Sequence, residues 1–162
     1  MAAKGKASEK DDVKIICLNR KATHEYDLTD RLECGMILKG TEVKSLRDGQ
    51  ATLEGAFCRV DSGEVWLHQC EIPMHPSGNQ LNHVPKRTRK LLLHKNEIDK
   101  FATKASERGF TLVPTKMYFK DGLAKIEIAV GRGKKLHDKR EAAKKTQARR
   151  EIRSELSRRR GK

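Results

Sequence analysis

Aromatic residues are scarce in this sequence of 162 residues, where phenylalanine, tryptophan and tyrosine together make up 4%. No apolar run reaches the roughly eighteen residues that a membrane-spanning helix requires. Residues 1–12 are polar and charged and lack the apolar middle of a signal peptide, so we expect a cytosolic protein. The four cysteines form no Cys-x-x-Cys pair, and in a reducing compartment we expect them to be small buried hydrophobes.

Motifs of catalysis are also missing. The chain has no Ser/His/Asp order, no phosphate-binding glycine loop and no zincin motif. His75 and His83 lie in an irregular stretch from Ile72 to Pro85, without the spacing of a metal site. We therefore expect no metal, no cofactor and no enzymatic activity. RNA cleavage by a histidine pair is the alternative, although scattered histidines in a basic protein are more typical of binding.

Positive charge is what the sequence has in excess. Lys and Arg number 36 against 22 Asp and Glu, a net charge of +14. Residues 131–162 alone hold fourteen cations against four anions, which gives +10. This balance favours nucleic acid as the partner. The segment has few large apolar groups to bury, so we expect it to be disordered until a polyanion neutralises it.

An acidic membrane is the other partner that a basic tail can have. On a helical wheel Ile152 and Leu156 fall together, but Leu136 and Ala143 point to the opposite side. No apolar stripe forms, and the cations surround the wheel. Such a helix suits enclosure by phosphates better than a position in a lipid surface, so we expect no membrane partner.

Alternation of polar and apolar residues predicts a long strand from Tyr26 to Leu38. Only Asp30 interrupts its apolar side, and Gly35 lies where a long strand would bend. A short helix is predicted over Gly40–Gly49 with Thr41 as its N-cap. The apolar side of the strand comprises Tyr26, Leu28, Leu32, Cys34, Met36 and Leu38.

Further elements follow along the chain. A hairpin is predicted over Ala56–Leu67, with Val60, Val65 and Leu67 available to the core. Apolar residues at helical spacing predict a helix over Asn96–Arg108. The turn at Lys120, Asp121 and Gly122 predicts a second hairpin, formed by Thr111–Phe119 and Leu123–Val130, with Ile126, Ile128 and Val130 inward.

These elements predict a mainly β fold with short helices. We expect a closed antiparallel barrel of the oligonucleotide-binding (OB) type over residues 13–130. A flexible N-terminus (1–12) precedes it and the basic tail (131–162) follows it. A two-layer α+β sandwich accounts for the same elements and is the alternative.

Two basic segments are candidates for RNA contact. Arg87, Arg89 and Lys90 precede the apolar Leu91–Leu93 and His94, an arrangement suited to gripping phosphate. The alternative is a solvated loop followed by a buried strand. The other segment contains Asn19, Arg20, Lys21 and His24, whose side chains suit RNA backbone and loop bases, or form a polar lead-in to the strand.

Four segments together closely resemble the small protein B (SsrA-binding protein) family of bacteria. They are Asn19–Tyr26, GTEVKSLR at Gly40–Arg47, RTRKLLLHK at Arg87–Lys95 and GKKLHDKR at Gly133–Arg140. The resemblance implies an OB-type barrel without enzymatic activity. It also implies two partners, namely the tRNA-like domain of transfer-messenger RNA (tmRNA) and stalled ribosomes, to which that RNA is delivered for trans-translation.

The resemblance also implies particular RNA contacts. Glu33 is unusual among them because a carboxylate repels phosphate, but it can accept hydrogen bonds from base amino groups or a ribose hydroxyl and so add specificity. Pattern alone reads it as an ordinary outward residue. The implied contacts are Asn19, His24, Glu33, Leu92, His94 and Lys125.

For the tail, the resemblance implies a helix that enters the empty mRNA channel. His137 is expected to stack on a base of the decoding centre, near contacts from Lys134, Lys135, Asp138, Lys139 and Arg140. The chain departs from the family pattern at Thr23 and Val84, and no contact is assigned to them. A ribosomal or general single-strand RNA-binding protein is the alternative function.

Overall fold

A computed structural model of the chain describes residues 13–135, 147 and 151–152. Within them the fold is mainly β with a few short helices. None of the described helices is long and apolar enough to cross a membrane. The strands are β1 (Val13–Leu18), β2 (Tyr26–Met36), β3 (Phe57–Asp61), β4 (Glu64–His68), β5 (Arg89–Leu92), β6 (Phe110–Lys120) and β7 (Leu123–Gly133), and the helices are α1 (Arg20–Glu25), α2 (Gly40–Arg47), a 3-10 turn (Pro76–Leu81) and α3 (Lys95–Ser106).

The strands form one antiparallel sheet in the order β1-β6-β3-β4-β5-β2-β7, and β7 also pairs with β6. Between β3 and β6 the pairing consists of Cys58 opposite Leu112. The predicted hairpin of β6 and β7 is confirmed, and its turn at Asp121 and Gly122 has positive φ angles of 50° and 76°. The predicted hairpin of β3 and β4 is confirmed as well.

A bulge divides β2 into two halves. Thr29 pairs with Val130 and Leu32 pairs with Ile128, so β2 has one more residue than β7 between these pairs. Asp30 lies in the bulge with a φ of 45°, a conformation that aspartate tolerates. The prediction that all apolar residues of this strand share one face is therefore wrong, because the alternation reverses at the bulge.

The two halves of β2 consequently bury their apolar residues in different places. Leu32, Cys34 and Met36 join the main core. Tyr26 instead lines a shallow pocket with Ala22 of α1 and Val113 of β6, on the other side of the sheet. This outer packing holds α1 against the sheet, a helix that the sequence did not predict.

The interior follows the predicted alternation elsewhere. Val65, Leu67, Ile126, Ile128 and Val130 are all buried, as expected. Cys34, Cys58 and Cys70 are buried in the same core, as predicted for small hydrophobes, whereas Cys17 is only partly buried. Burial raises the pKa of Cys34 and Cys70 to about 12, so these thiols stay protonated.

Two helix starts differ from expectation. Lys39, not Thr41, is the N-cap of α2, while the Thr41 hydroxyl lies within 2.9 Å of His83 Nδ1. α3 begins at Lys95 with His94 as its N-cap, and the backbone N–H of His94 donates to Glu97 Oε2 at 2.9 Å. The cap fixes His94 at the junction of β5 and α3.

Candidate nucleic-acid interface

Four neighbouring strands align one residue each in a cross-strand row. Gly35 of β2 pairs with Leu92 of β5 on one side and with Lys125 of β7 on the other. Lys125 pairs in turn with Tyr118 of β6. Because residues directly opposite each other in a sheet point to the same face, Leu92, Lys125 and Tyr118 share one surface. Gly35 has no side chain in the middle of this row, and Leu92 lies against it, since a Cβ there would be 3.5 Å from the Leu92 side chain.

Glu33 lies two residues before Gly35 and points to the same surface. Tyr118 donates its hydroxyl hydrogen to Glu33 Oε2, and Lys125 Nζ lies 3.8 Å from Glu33 Oε1. Burial, followed by the hydrogen bond to Glu33 and its charge, raises the pKa of Tyr118, so the phenol remains a donor. One carboxylate oxygen is thus anchored, and the other faces a loosely held ammonium group.

Glu33, Gly35 and Lys125, together with Leu92, line an open groove of about 710 Å³, here named the Glu33 groove, and Tyr118 lies behind Glu33. His94 lies at one side of it, and Leu92 is 51% exposed although it is a large apolar residue. The groove thus combines a hydrogen-bond acceptor, a cation, an imidazole and an apolar wall. Such a combination suits the edges and faces of unstacked bases together with a ribose.

A second carboxylate, Glu127, lies opposite Glu33 on β7. It accepts a hydrogen bond from the Thr115 hydroxyl at 2.6 Å, and Lys116 and Arg31 lie 3.0 and 3.6 Å away. Burial would raise the pKa of Glu127, but the hydrogen bonds and these cations outweigh it and lower the pKa. Its negative charge is therefore compensated, and it does not oppose an RNA near the groove.

Asn19 is a buried anchor in this structure. Its Oδ1 accepts from the backbone N–H of Ala22, which caps α1, and its Nδ2 donates to the carbonyls of Leu53 and Pro114, each at 3.0 Å. An RNA contact through this amide would replace bonds that hold α1 in place. The RNA contact predicted for Asn19 stays a prediction, while the geometry favours positioning of α1.

α1 presents basic residues on a different part of the surface. Arg20, Lys21 and His24 are exposed, and Lys21 forms an ion pair with the exposed Glu54 at 3.0 Å. The chain leaves β7 beside this helix. Lys134 donates to the carbonyls of Glu25 (backbone N, 2.9 Å) and Thr23 (Nζ, 3.1 Å), so the start of the basic segment is fixed to α1.

The predicted phosphate-binding run lies largely inside the protein. Arg89 has no exposed side-chain surface, and it donates to Glu42 Oε1 at 2.9 Å and to the carbonyls of Cys70, Arg87 and Pro85. Arg87 donates to both oxygens of Glu42, at 2.7 and 2.5 Å. Lys90 is partly exposed and pairs with Glu64. For the two arginines the geometry favours a structural role over contact with RNA.

The two loop histidines are used within the fold. His83 is buried, with Nε2 2.9 Å from the carbonyl oxygen of Ile72, and His75 lies 3.3 Å from Asp48. No group of three or more His, Cys, Asp or Glu residues in the described ranges is arranged to hold a metal ion.

The structure thus brings together only some of the predicted contacts. Glu33, Leu92, His94 and Lys125 meet in one groove. Arg20, Lys21 and His24 lie apart from it, with Lys134 and Lys135 at the start of the tail. His137, Asp138, Lys139 and Arg140 lie outside the described residues. Sequence reasoning missed Tyr118, because Met117, Tyr118 and Phe119 form an apolar run that does not distinguish the two faces of β6.

Comparison with known proteins identifies the family. The family described as SmpB protein matches residues 16–158. This chain belongs to the SmpB family. Relatives include the SsrA-binding protein of Desulforudis audaxviator, 51% identical over 139 residues that span 86% of this chain and 91% of the relative. The SsrA-binding protein of Mycolicibacterium vanbaalenii is 47% identical over 159 residues, which span 98% and 96%.

A solved structure supports the same assignment to the SmpB family. It is described as "tmRNA-SmpB: a journey to the center of the bacterial ribosome", and its matching chain is 44% identical with a TM-score of 0.64. The match covers 74% of this chain and 85% of the solved one. Both the sequence and the fold therefore place the described body within the SmpB family.

Proposed function

We propose that this chain binds the tRNA-like domain of tmRNA and delivers it to stalled ribosomes for trans-translation. The observation that carries the proposal is the Glu33 groove, which gathers Glu33, Leu92, His94 and Lys125 in a chain of the SmpB family. The names of the relatives and the ribosome-bound neighbour support the same two partners. The protein acts in the cytoplasm, where ribosomes are, as a binding factor without a catalytic step.

Within this proposal the groove supplies specificity. Glu33 Oε1 accepts a hydrogen bond from a base amino group or a ribose hydroxyl, and Tyr118 keeps the carboxylate oriented. Lys125 contacts a phosphate or the same nucleotide, and Leu92 and His94 pack against a base. Phosphate contacts fix the position of an RNA, whereas base contacts select it.

The α1 surface supplies a second set of contacts. Arg20, Lys21 and His24 lie on one short helix, and Asn19 and Lys134 tie its two ends to the body. Arg87 and Arg89 support the groove indirectly, because Arg89 lies on the strand that ends at Leu92. Direct RNA contacts of Asn19, Arg87, Arg89 and Lys90 remain predictions from the sequence.

We further propose that the body is a closed barrel of the OB type. The successive pairings from β6 through β3, β4, β5, β2 and β7 lead back to β6, which supports closure. Residues 13–130 would form this barrel, with residues 1–12 and 131–162 as flexible extensions. The described strand β7 continues to Gly133, so the extension begins slightly later than the sequence suggested.

In this proposal the tail binds the decoding centre and the empty mRNA channel of the ribosome. Beyond its first residues, which β7 and the Lys134 contacts hold to the body, the tail is disordered in the free protein and becomes a helix in the empty mRNA channel. Lys134, Lys135, Lys139 and Arg140 contact phosphates, Asp138 lies among them, and His137 stacks on a base of the decoding centre. The excess of ten positive charges in residues 131–162 supports binding to rRNA.

Competition binding separates this function from its alternative, a ribosomal or general single-strand RNA-binding protein. We expect labelled tRNA-like domain to stay bound in the presence of excess bulk tRNA at moderate salt. A general binder would show steep salt dependence and little preference. Displacement of the domain by an equal amount of tRNA would contradict the proposal.

Truncation tests the division between body and tail. A chain that ends at Lys135 keeps β7 and the Lys134 contacts to α1. We expect it to bind the tRNA-like domain within a few fold of the full chain but to fail in rescue of stalled ribosomes in a translation extract. Parallel loss of both activities would refute the division.

A further inference from the structure

Ring side chains gather on the outer face of the β3–β4 hairpin. Phe57 and His68 are direct cross-strand partners, and their rings stack with centroids 5.1 Å apart and planes inclined by 10°. Trp66 lies two residues from His68 on the same face and pairs with Arg59. Phe57 is 41% exposed although phenylalanine is normally buried. In a chain with few aromatic residues, this concentration on an outer face is unusual.

Cations accompany the rings. Arg59 is exposed and forms no ion pair or hydrogen bond with other described residues. A recess of about 510 Å³, lined by Phe57, Arg59 and Phe110, opens beside them. The guanidinium of Arg132 lies 6.0 Å from the Phe110 ring centroid. Acidic residues also lie near the hairpin, namely Glu25, which lines another recess with Phe57, Glu64, which pairs with Lys90, and Asp61 at the end of β3.

This face continues into the Glu33 groove. Trp66 pairs with Lys90 of β5, and Leu92 follows two residues later on the same side of the strand. Two residues of a strand span about 7 Å, roughly the length of one nucleotide step in an extended RNA. Trp66 is therefore about one nucleotide step from Leu92, and the Phe57–His68 pair lies one further step along the strands.

We propose that Phe57, Trp66 and His68, together with Arg59, form a stacking surface for unpaired RNA bases, here named the ring face. The rings offer π-faces to successive bases, and Arg59 contacts the backbone between them. RNA as the partner rests on the proposed function, but the ring face is separate from the groove residues. The position of the ring face beside the Glu33 groove, together with the cation Arg59, favours RNA over a protein as the occupant.

Trp66 makes the test direct because the chain has one tryptophan. The probe is single-stranded oligoadenosine of about ten nucleotides, added to the full-length protein. An abasic oligomer of equal length keeps the phosphates and removes the bases. We expect oligoadenosine to quench the Trp66 fluorescence and the abasic oligomer to leave it nearly unchanged.

Variants distinguish stacking from packing and from charge. Phe57→Leu keeps apolar bulk without the ring, and we expect it to weaken oligoadenosine binding by about fivefold to a hundredfold, the usual effect of losing one stacked base. Phe57→Tyr should restore binding. Arg59→Gln should reduce the salt dependence, whereas Lys100→Gln on the exposed side of α3 should not. Circular dichroism checks that each variant is folded.

The outcomes separate the two proposals. Equal quenching by the abasic oligomer, or unchanged affinity in folded Phe57→Leu, would overturn the ring face. Absence of quenching while the protein still selects the tRNA-like domain over bulk tRNA would overturn the ring face and leave the proposed function intact. Quenching by oligoadenosine in a protein that does not select the tRNA-like domain would support the ring face and overturn the proposed function.

Discussion

Two glutamates of this protein contact cations, one in the buried interior and the other on the surface. Glu42 is fully buried, and its oxygens accept hydrogen bonds from Arg87, Arg89 and the backbone N–H of Lys39. Glu33 is 39% exposed at its side chain, held by Tyr118 and 3.8 Å from Lys125. The first cluster has its hydrogen-bonding capacity filled by the protein. The second keeps part of that capacity for a ligand.

The difference shows how burial decides the role of similar residues. A buried charge must be paired within the protein, since an unpaired one costs several kcal/mol. An exposed ion pair contributes little to stability, typically under about 1 kcal/mol, and is free to exchange partners. The Glu42 cluster therefore stabilises the loop before β5, and the Glu33 groove is available for recognition.

The largest expected effect comes from breaking the buried cluster. Glu42→Gln leaves Arg89 charged in the interior without its counter-ion, so we expect the free energy of unfolding to fall by about 3 to 5 kcal/mol. Urea unfolding measures this loss. Glu33→Gln serves as the matched control and should change stability by less than about 1 kcal/mol. Similar losses in the two variants would remove the contrast between the sites.

The stability loss caused by Glu42→Gln should depend on pH. Burial raises the pKa of Glu42, but the hydrogen bonds from Arg87 and Lys39 and the charge of Arg89 outweigh it, so the pKa is lowered on folding. The contribution of Glu42 to the free energy of unfolding is therefore fully present above the pKa that Glu42 has in the unfolded chain. It is lost as the pH falls through the lower pKa of the folded protein. We expect the stability gap between wild type and Glu42→Gln to narrow in acid.

A smaller effect is expected from the open carboxylate. Glu33→Gln keeps the shape but removes the charged acceptor, so affinity for the tRNA-like domain should fall about tenfold at moderate salt. Binding to bulk tRNA should change little, because phosphate contacts are retained. Glu71→Gln is a charge-matched control from the exposed pair with Lys86. Unchanged selectivity in Glu33→Gln would make Glu33 an ordinary outward residue.

The smallest expected effect concerns the residue that orients Glu33. Tyr118→Phe removes one hydrogen bond, which should reduce affinity for the tRNA-like domain by about fivefold. Tyr26→Phe removes the other tyrosine hydroxyl of the chain, away from the groove, and is the control. Without RNA, Glu33→Gln should lower the pKa of Tyr118 in an absorbance titration. An unaltered tyrosine titration would show that the contact is absent in solution.

Local patterns predicted much of the fold. The β6–β7 hairpin and α3 follow from turn residues and periodicities that lie within short stretches of sequence. The bulge in β2 was missed, although Asp30 marked it as the one break in the apolar alternation. Continuous alternation would place all apolar side chains of β2 on one face, but the single extra residue reverses the alternation.

Local sequence patterns predicted less of the candidate site than of the fold. Arg87 and Arg89 look like any exposed basic run, and only their pairing with Glu42, 45 and 47 residues earlier, places them inside. Glu33, Leu92 and Lys125 came from family resemblance, since nothing local links three strands that are distant in sequence. Their meeting depends on the register around Gly35.

The bulge at Asp30 also constrains how β2 can vary among related chains. Deleting one residue there would make the alternation of β2 continuous. Either Tyr26, which packs with α1, or the core residues Leu32, Cys34 and Met36 would then point to the wrong face of the sheet. Removing two would keep the faces but shift Glu33 away from Tyr118. Substitutions are therefore the tolerated form of change in this strand, and its length should be nearly invariant.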